Sequence, residues 1–130
     1  MDPAALNEIP LFAGLTDDER AAVAASLRDV TVEPGAALAV QGENAWHWFV
    51  IESGSAEVRR DGDVVRTLGP GDVFGEIGLL ATGTRTASVI ATSSMRLGAM
   101  FMREFKQLDA RMPGLGRALR DAMGDRPWVS

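Results

Sequence analysis

The sequence predicts a mainly β domain, a sandwich or barrel with helices at both ends. Three observations carry that reading. Between Val30 and Met100, short runs rich in Val, Ile, Phe and Trp alternate with Gly, Asp, Asn and Ser at intervals of about 8–12 residues. Helical spacing appears only before and after that stretch. The 130 residues, 46% of them hydrophobic, suit a single domain with its own core.

The elements follow in order. A helical lead-in is expected over residues 6–28. Thr16 is a good N-cap, Glu19 stands three residues on in capping-box spacing, and Asp17 and Asp18 fall where the helix dipole favours acids. Ala22, Val23, Ser26 and Leu27 then follow at helical spacing, and Leu11, Phe12 and Leu15 form an apolar cluster ahead of the helix that should pack on the main body. A β-roll is expected over residues 29–101. Its runs are Val30–Val32, Ala37–Val40, Trp46–Glu52, Ser55–Arg60, Val64–Leu68, Thr86–Ala91 and Arg96–Phe101. The joins are Glu33-Pro34-Gly35, Gln41-Gly42-Glu43-Asn44, Ser53-Gly54, Asp61-Gly62 and Gly69-Pro70-Gly71-Asp72. Asp61-Gly62, between two alternating runs, is the strongest hairpin signal. Two short helices are expected over residues 102–124. Phe101, Phe105 and Leu108 recur at helix spacing, Met112-Pro113-Gly114 interrupts, and Leu115, Leu119 and Met123 line a last helix that ends near Gly124 and Pro127. With no repeat and no long linker, residues 1–130 read as one domain.

Composition removes several function classes. There are no cysteines, hence no disulfides, thiolate nucleophiles or Cys-based zinc sites. The one histidine, His47, excludes a His-rich metal site, and no partner nucleophile marks it as a catalytic base. A net charge of -5 repels the phosphate backbone, so direct nucleic-acid binding is not expected. No apolar run approaches the roughly 18–20 residues that span a bilayer, and the start has no signal-peptide pattern. A cytoplasmic, non-membrane protein is expected, with no catalytic residues and no metal. Trp46 and Trp48 alternate with His47, which puts the two indoles on one face and suits core packing.

Residues 71–89 differ from the rest of the roll. Gly75-Glu76-Ile77-Gly78-Leu79-Leu80 is too glycine-rich for a good strand and too short for a stable isolated helix. A single helical turn would leave its first amides free to bind an anion. Gly75 and Gly78 would let a ligand approach the backbone. Arg85, in Gly83-Thr84-Arg85-Thr86, supplies a permanently charged fork suited to phosphate, and Glu76 can accept hydrogen bonds from a sugar hydroxyl. These residues by themselves point to an anion attached to a hydroxyl-bearing group, with a nucleotide as the obvious candidate. The glycines are not a P-loop, for no Gly-Lys-Ser/Thr follows.

Phe74-Gly75-Glu76-Ile77-Gly78-Leu79-Leu80, followed by Arg85-Thr86-Ala87, resembles the phosphate-binding cassette of the cyclic nucleotide-binding domain family. The flanks match too: Glu33-Pro34-Gly35, then Phe49-Val50-Ile51-Glu52-Ser53-Gly54, Ala56-Glu57-Val58 and Leu68-Gly69-Pro70-Gly71-Asp72. The resemblance runs from about Leu11 to Leu119. It implies an eight-stranded β-roll of the double-stranded β-helix or jelly-roll type that senses a cyclic nucleotide, cAMP or cGMP, without a cofactor. It places Glu76 on the ribose 2′-hydroxyl, Arg85 on the exocyclic phosphate oxygens, and the amides around Gly75, Ile77 and Ala87 on phosphate and sugar. Thr86 would stand between phosphate and base, where a Thr suits a syn guanine and also occurs in cAMP binders. Gly78 and Leu79 complete the expected site.

The chain departs from the family in two ways. The last helix is short, which leaves Trp128 as a candidate stacking lid over the base. No helix-turn-helix follows, unlike bacterial regulators with this sensor. The expected partners are the nucleotide and an unknown protein effector that reads the last helices, with room for a homodimer. The competing readings are a transcription regulator of the cAMP receptor protein type without its DNA-binding domain, and a ligand-free structural or interaction module.

Overall fold

The structure is a computed structural model that describes residues 1–9, 12–43, 47–74 and 87–112, the side chain of Met102 excepted. Two short helices, α1 (Pro3–Asn7) and α2 (Asp17–Ser26), precede the strands. Among the described residues the strands are β1 (Arg28–Val32), β2 (Ala37–Ala39), β3 (His47–Ser53), β4 (Ala56–Arg60), β5 (Asp63–Leu68), β6 (Val73–Phe74), β7 (Ser88–Ala91) and β8 (Met95–Phe101). Helix α3 (Met102–Arg111) follows. The mainly β class with flanking helices and eight strands is as the sequence predicts.

Helix α2 starts where its sequence says it should. Thr16 accepts from the Glu19 amide at 3.2 Å while the Glu19 carboxylate accepts from the Thr16 amide at 2.8 Å, the reciprocal capping box. The Arg20 guanidinium then donates back to the carbonyls of Phe12 and Leu15, tying the helix to the segment before it. Helix α1 lies ahead of the expected lead-in. Asp2 caps it through the Ala4 amide, and Pro3 occupies its first turn, where no amide is missed. A helix this short is marginal alone. Burial of Leu6 at its inner face holds it.

The strands form two antiparallel sheets. The first has the order β1-β8-β3-β6, the second β2-β7-β4-β5. In β4, Ala56 and Val58 are buried while Glu57 and Arg59 point away; in β7, Val89 and Ala91 alternate with Ser88 and Ile90 in the same way. These buried sets meet Phe49, Ile51, Phe74, Met95, Leu97 and Ala99 of the first sheet to form the inner core. The first sheet is covered on its other face as well. Trp48, Val50, Val73 and Met100 pack against Leu6, Phe12, Val23 and Leu27 from the lead-in and against Phe105 and Leu108 of α3. The Trp48 ring sits 6.1 Å from Phe12 and 6.2 Å, edge-on, from Phe105. The expected core role for the Trp48 indole therefore holds, with His47 on the opposite face against Phe49 and Phe101. Trp46 lies outside the described residues.

Strand β6 is absent from the runs expected from sequence. Two residues are too few to show alternation. Pairing alone makes them a strand, Phe74 opposite Phe49 and Val73 opposite Val50. The Asp61-Gly62 hairpin is as predicted: both residues have positive φ, +54° and +87°, as a type I′ turn requires.

Candidate functional site

The described residues build the frame of the expected site on both sides. On the entry side, Gly69-Pro70-Gly71-Asp72 turns the chain back into the first sheet. The Asp72 carboxylate accepts from the Gly69 amide at 2.8 Å, closing the turn, and Gly71 takes a φ of +88° that only glycine adopts at no steric cost. The turn is then sewn to β3: the Gly71 amide donates to the Ile51 carbonyl and the Ile51 amide to the Asp72 carbonyl, both at 2.9 Å. Phe74, wholly buried, ends the entry with its ring stacked on Phe49 at 4.8 Å.

On the exit side, Ala87 is wholly buried in the inner core. Strand β7 follows, paired to β4 on one side and β2 on the other, with Val89 opposite both Val58 and Ala39. The chain therefore leaves from the edge of one sheet and returns in the interior of the other.

Of the residues singled out from sequence, Ala87 is the one described. Its methyl packs in the inner core. Gly75, Glu76, Ile77, Gly78, Leu79, Arg85 and Thr86 lie outside the described residues, as do Trp128 and the Pro113-Gly114 break after α3. Met112, the first residue of that break, caps α3 through its amide to the Leu108 carbonyl at 2.8 Å.

Other clusters are packing arrangements. His47 stacks on Phe101 at 4.2 Å, and Arg28 lies over the same ring at 4.3 Å while its guanidinium faces Glu104 at 3.7 Å. Among the described residues no group of His, Asp and Glu could hold a metal ion, and no helix is long and apolar enough to cross a membrane. A cavity of about 290 Å³ beside α1 is lined by Met1, Ala5, Glu8, Ile9, Ile51, Glu52, Pro70 and Gly71. With two carboxylates and no Arg or Lys, it is unsuited to a phosphate.

Sequence reasoning read Gln41 only as a turn residue, yet its amide donates to the Ser88 hydroxyl at the start of β7, at 2.9 Å. The partners are 47 residues apart, so no local pattern marks the contact.

Against this frame, the family model described as "Cyclic nucleotide-binding domain" matches residues 29–111. The cAMP-dependent protein kinase regulatory subunit of Yarrowia lipolytica is 37% identical over 105 residues, covering 79% of this chain and 28% of that protein. The regulatory domain of Toxoplasma gondii PKA with cAMP superposes with a TM-score of 0.82 at 27% identity, over 95% of this chain and 48% of that one. The Thermus thermophilus catabolite activator protein gives 0.80 at 29% identity, over 90% of this chain and 57% of that one. The chain thus spans less than a third of the length of the curated relative.

Proposed function

Because this chain belongs to the cyclic nucleotide-binding domain family, we propose that it is a regulatory sensor that binds cAMP or cGMP through residues 75–87 and does no chemistry on it. The observation that carries the reading is the family match over residues 29–111, which brackets the Gly-Glu and Arg-Thr-Ala motifs. The likeness to a regulatory domain solved with cAMP supports cAMP as the first ligand to test.

In this reading Arg85 pairs with the exocyclic oxygens of the cyclic phosphate. One guanidinium and several amides offset its single negative charge, so no metal is needed. Glu76 accepts the ribose 2′-hydroxyl. Gly75, Ile77 and Ala87 contribute backbone amides, Gly78 and Leu79 complete the wall, and Thr86 stands toward the base. The described residues on either side of it are packed: Phe74 stacks on Phe49, and Ala87 is buried. A protein effector then reads the position of the helices after β8, as a switch with different ligand affinity in its two states.

Calorimetric titration with cAMP and cGMP, wild type against Arg85→Leu, tests this. We expect saturable 1:1 binding by the wild type. Losing a charge-assisted phosphate contact should weaken it roughly thirty- to a thousandfold. Equal affinity in the two proteins, or none for either nucleotide in the wild type, refutes the assignment.

A further inference from the structure

Gln41 joins three segments that are far apart in sequence. Its carboxamide engages Asp61 at both ends: Gln41 Nε2 donates to Asp61 Oδ1 at 2.8 Å, and the Asp61 amide donates to Gln41 Oε1 at 2.9 Å. Its own amide donates to Ser88 Oγ at 2.9 Å. Asp61 forms the tip of the β4–β5 hairpin. Among the described residues it is the only non-glycine with positive φ, at +54°, a conformation that L residues adopt at some cost. A two-bond clasp on its backbone and side chain holds it there. Ser88 is the first residue of β7, directly after Arg85-Thr86-Ala87.

These hydrogen bonds are solvent-exposed. Water competes with them, so they add little to global stability. A closed, two-bond geometry on the surface fixes relative position instead. We propose that Gln41 is a positioning residue for the ligand: it clamps the β4–β5 hairpin to the start of β7 and so fixes the point where the chain enters the sheet after Arg85 and Thr86. This rests on the nucleotide reading above and adds a residue that does not itself touch the nucleotide. Sequence supplied no sign of it, because the clasp closes only once β2, β4, β5 and β7 have assembled into one sheet.

The test is cAMP affinity, with thermal midpoint and amide exchange followed alongside, in the full chain. Gln41→Ala should raise Kd about five- to tenfold, as expected for losing the two modest side-chain hydrogen bonds to Asp61 while the backbone bond to Ser88 is kept. It should speed amide exchange at Asp61 and leave the thermal midpoint within about 3 °C. Gln41→Glu should also weaken binding, since it sets two carboxylates face to face. Combining Gln41→Glu with Asp61→Asn exchanges donor and acceptor across the same pair, and asparagine tolerates positive φ. That double variant should return Kd to within about twofold of wild type. The positioning role is overturned by an unchanged Kd in Gln41→Ala, by a loss of affinity that comes with a collapsed midpoint, or by a double variant no better than Gln41→Glu. A wild type that binds neither nucleotide overturns the ligand reading and the positioning role with it; a wild type that binds, beside an unaffected Gln41→Ala, overturns the positioning role alone.

Discussion

The two sheets are built from the same strand residues and live in different surroundings. The sheet β1-β8-β3-β6 is covered by helices on one face and by its partner sheet on the other. Its central strands show it: Trp48, Phe49, Val50 and Ile51 are buried in succession, as are Leu97 to Met100. The sheet β2-β7-β4-β5 has one covered face. Its inner strands β4 and β7 alternate, and Val64 and Val65 on its edge strand β5 are 53% and 46% exposed. Among the described residues, the Trp48 Nε1 donor in that doubly covered sheet is buried without a hydrogen-bond partner. The open sheet receives the chain after the proposed cassette and carries the Gln41 clasp. Its inner face is held by the core, and the Gln41 hydrogen bonds act on its exposed rim.

That contrast can be broken in three places, from the largest effect down. Phe74→Ala should cost about 3–5 kcal/mol, because it empties a ring site in the inner core at the point where the chain leaves the covered sheet. A lower urea midpoint with an unchanged slope would show this. A loss under about 1 kcal/mol would mean that the entry is not held by packing.

Gly54→Ala should cost about 3 kcal/mol. Gly54 turns the chain from β3 in one sheet to β4 in the other at a φ of +92°. A Cβ there would meet the Ser94 carbonyl and the Met95 backbone, neither of which can swing aside. The same midpoint measurement applies, and a neutral result would show that this corner is looser than drawn. Val65→Ala, on the exposed edge, should change stability by no more than about 0.5 kcal/mol. A large loss there would mean that the open sheet is covered in solution, and sedimentation would identify a second copy as the cover.

Much of this was readable along the chain. The capping box at Thr16 and Glu19, the Asp61-Gly62 turn and the alternation in β4 are local, so a few neighbouring residues dictate them. The start of helix α1 was missed, the lead-in being expected only from residue 6, although the Asp2 cap and Pro3 are local features. Strand β6 was not marked, because two residues carry no period. The Gln41 clasp was not marked either, because its partners lie 20 and 47 residues away.

The sequence by itself determined where the chain turns, which residues alternate toward a core, and that Gly-Glu and Arg-Thr-Ala motifs stand between the residues of β6 and β7. Those are properties of neighbours, set by sterics, capping and hydropathy over a turn or two. Only the tertiary structure decided which sheet is covered twice, that β6 lies at the edge of one sheet and β7 inside the other, and that Gln41 meets both Asp61 and Ser88. Those depend on long-range strand pairing, where chain segments distant in sequence share hydrogen bonds, and no local pattern encodes which pair will meet.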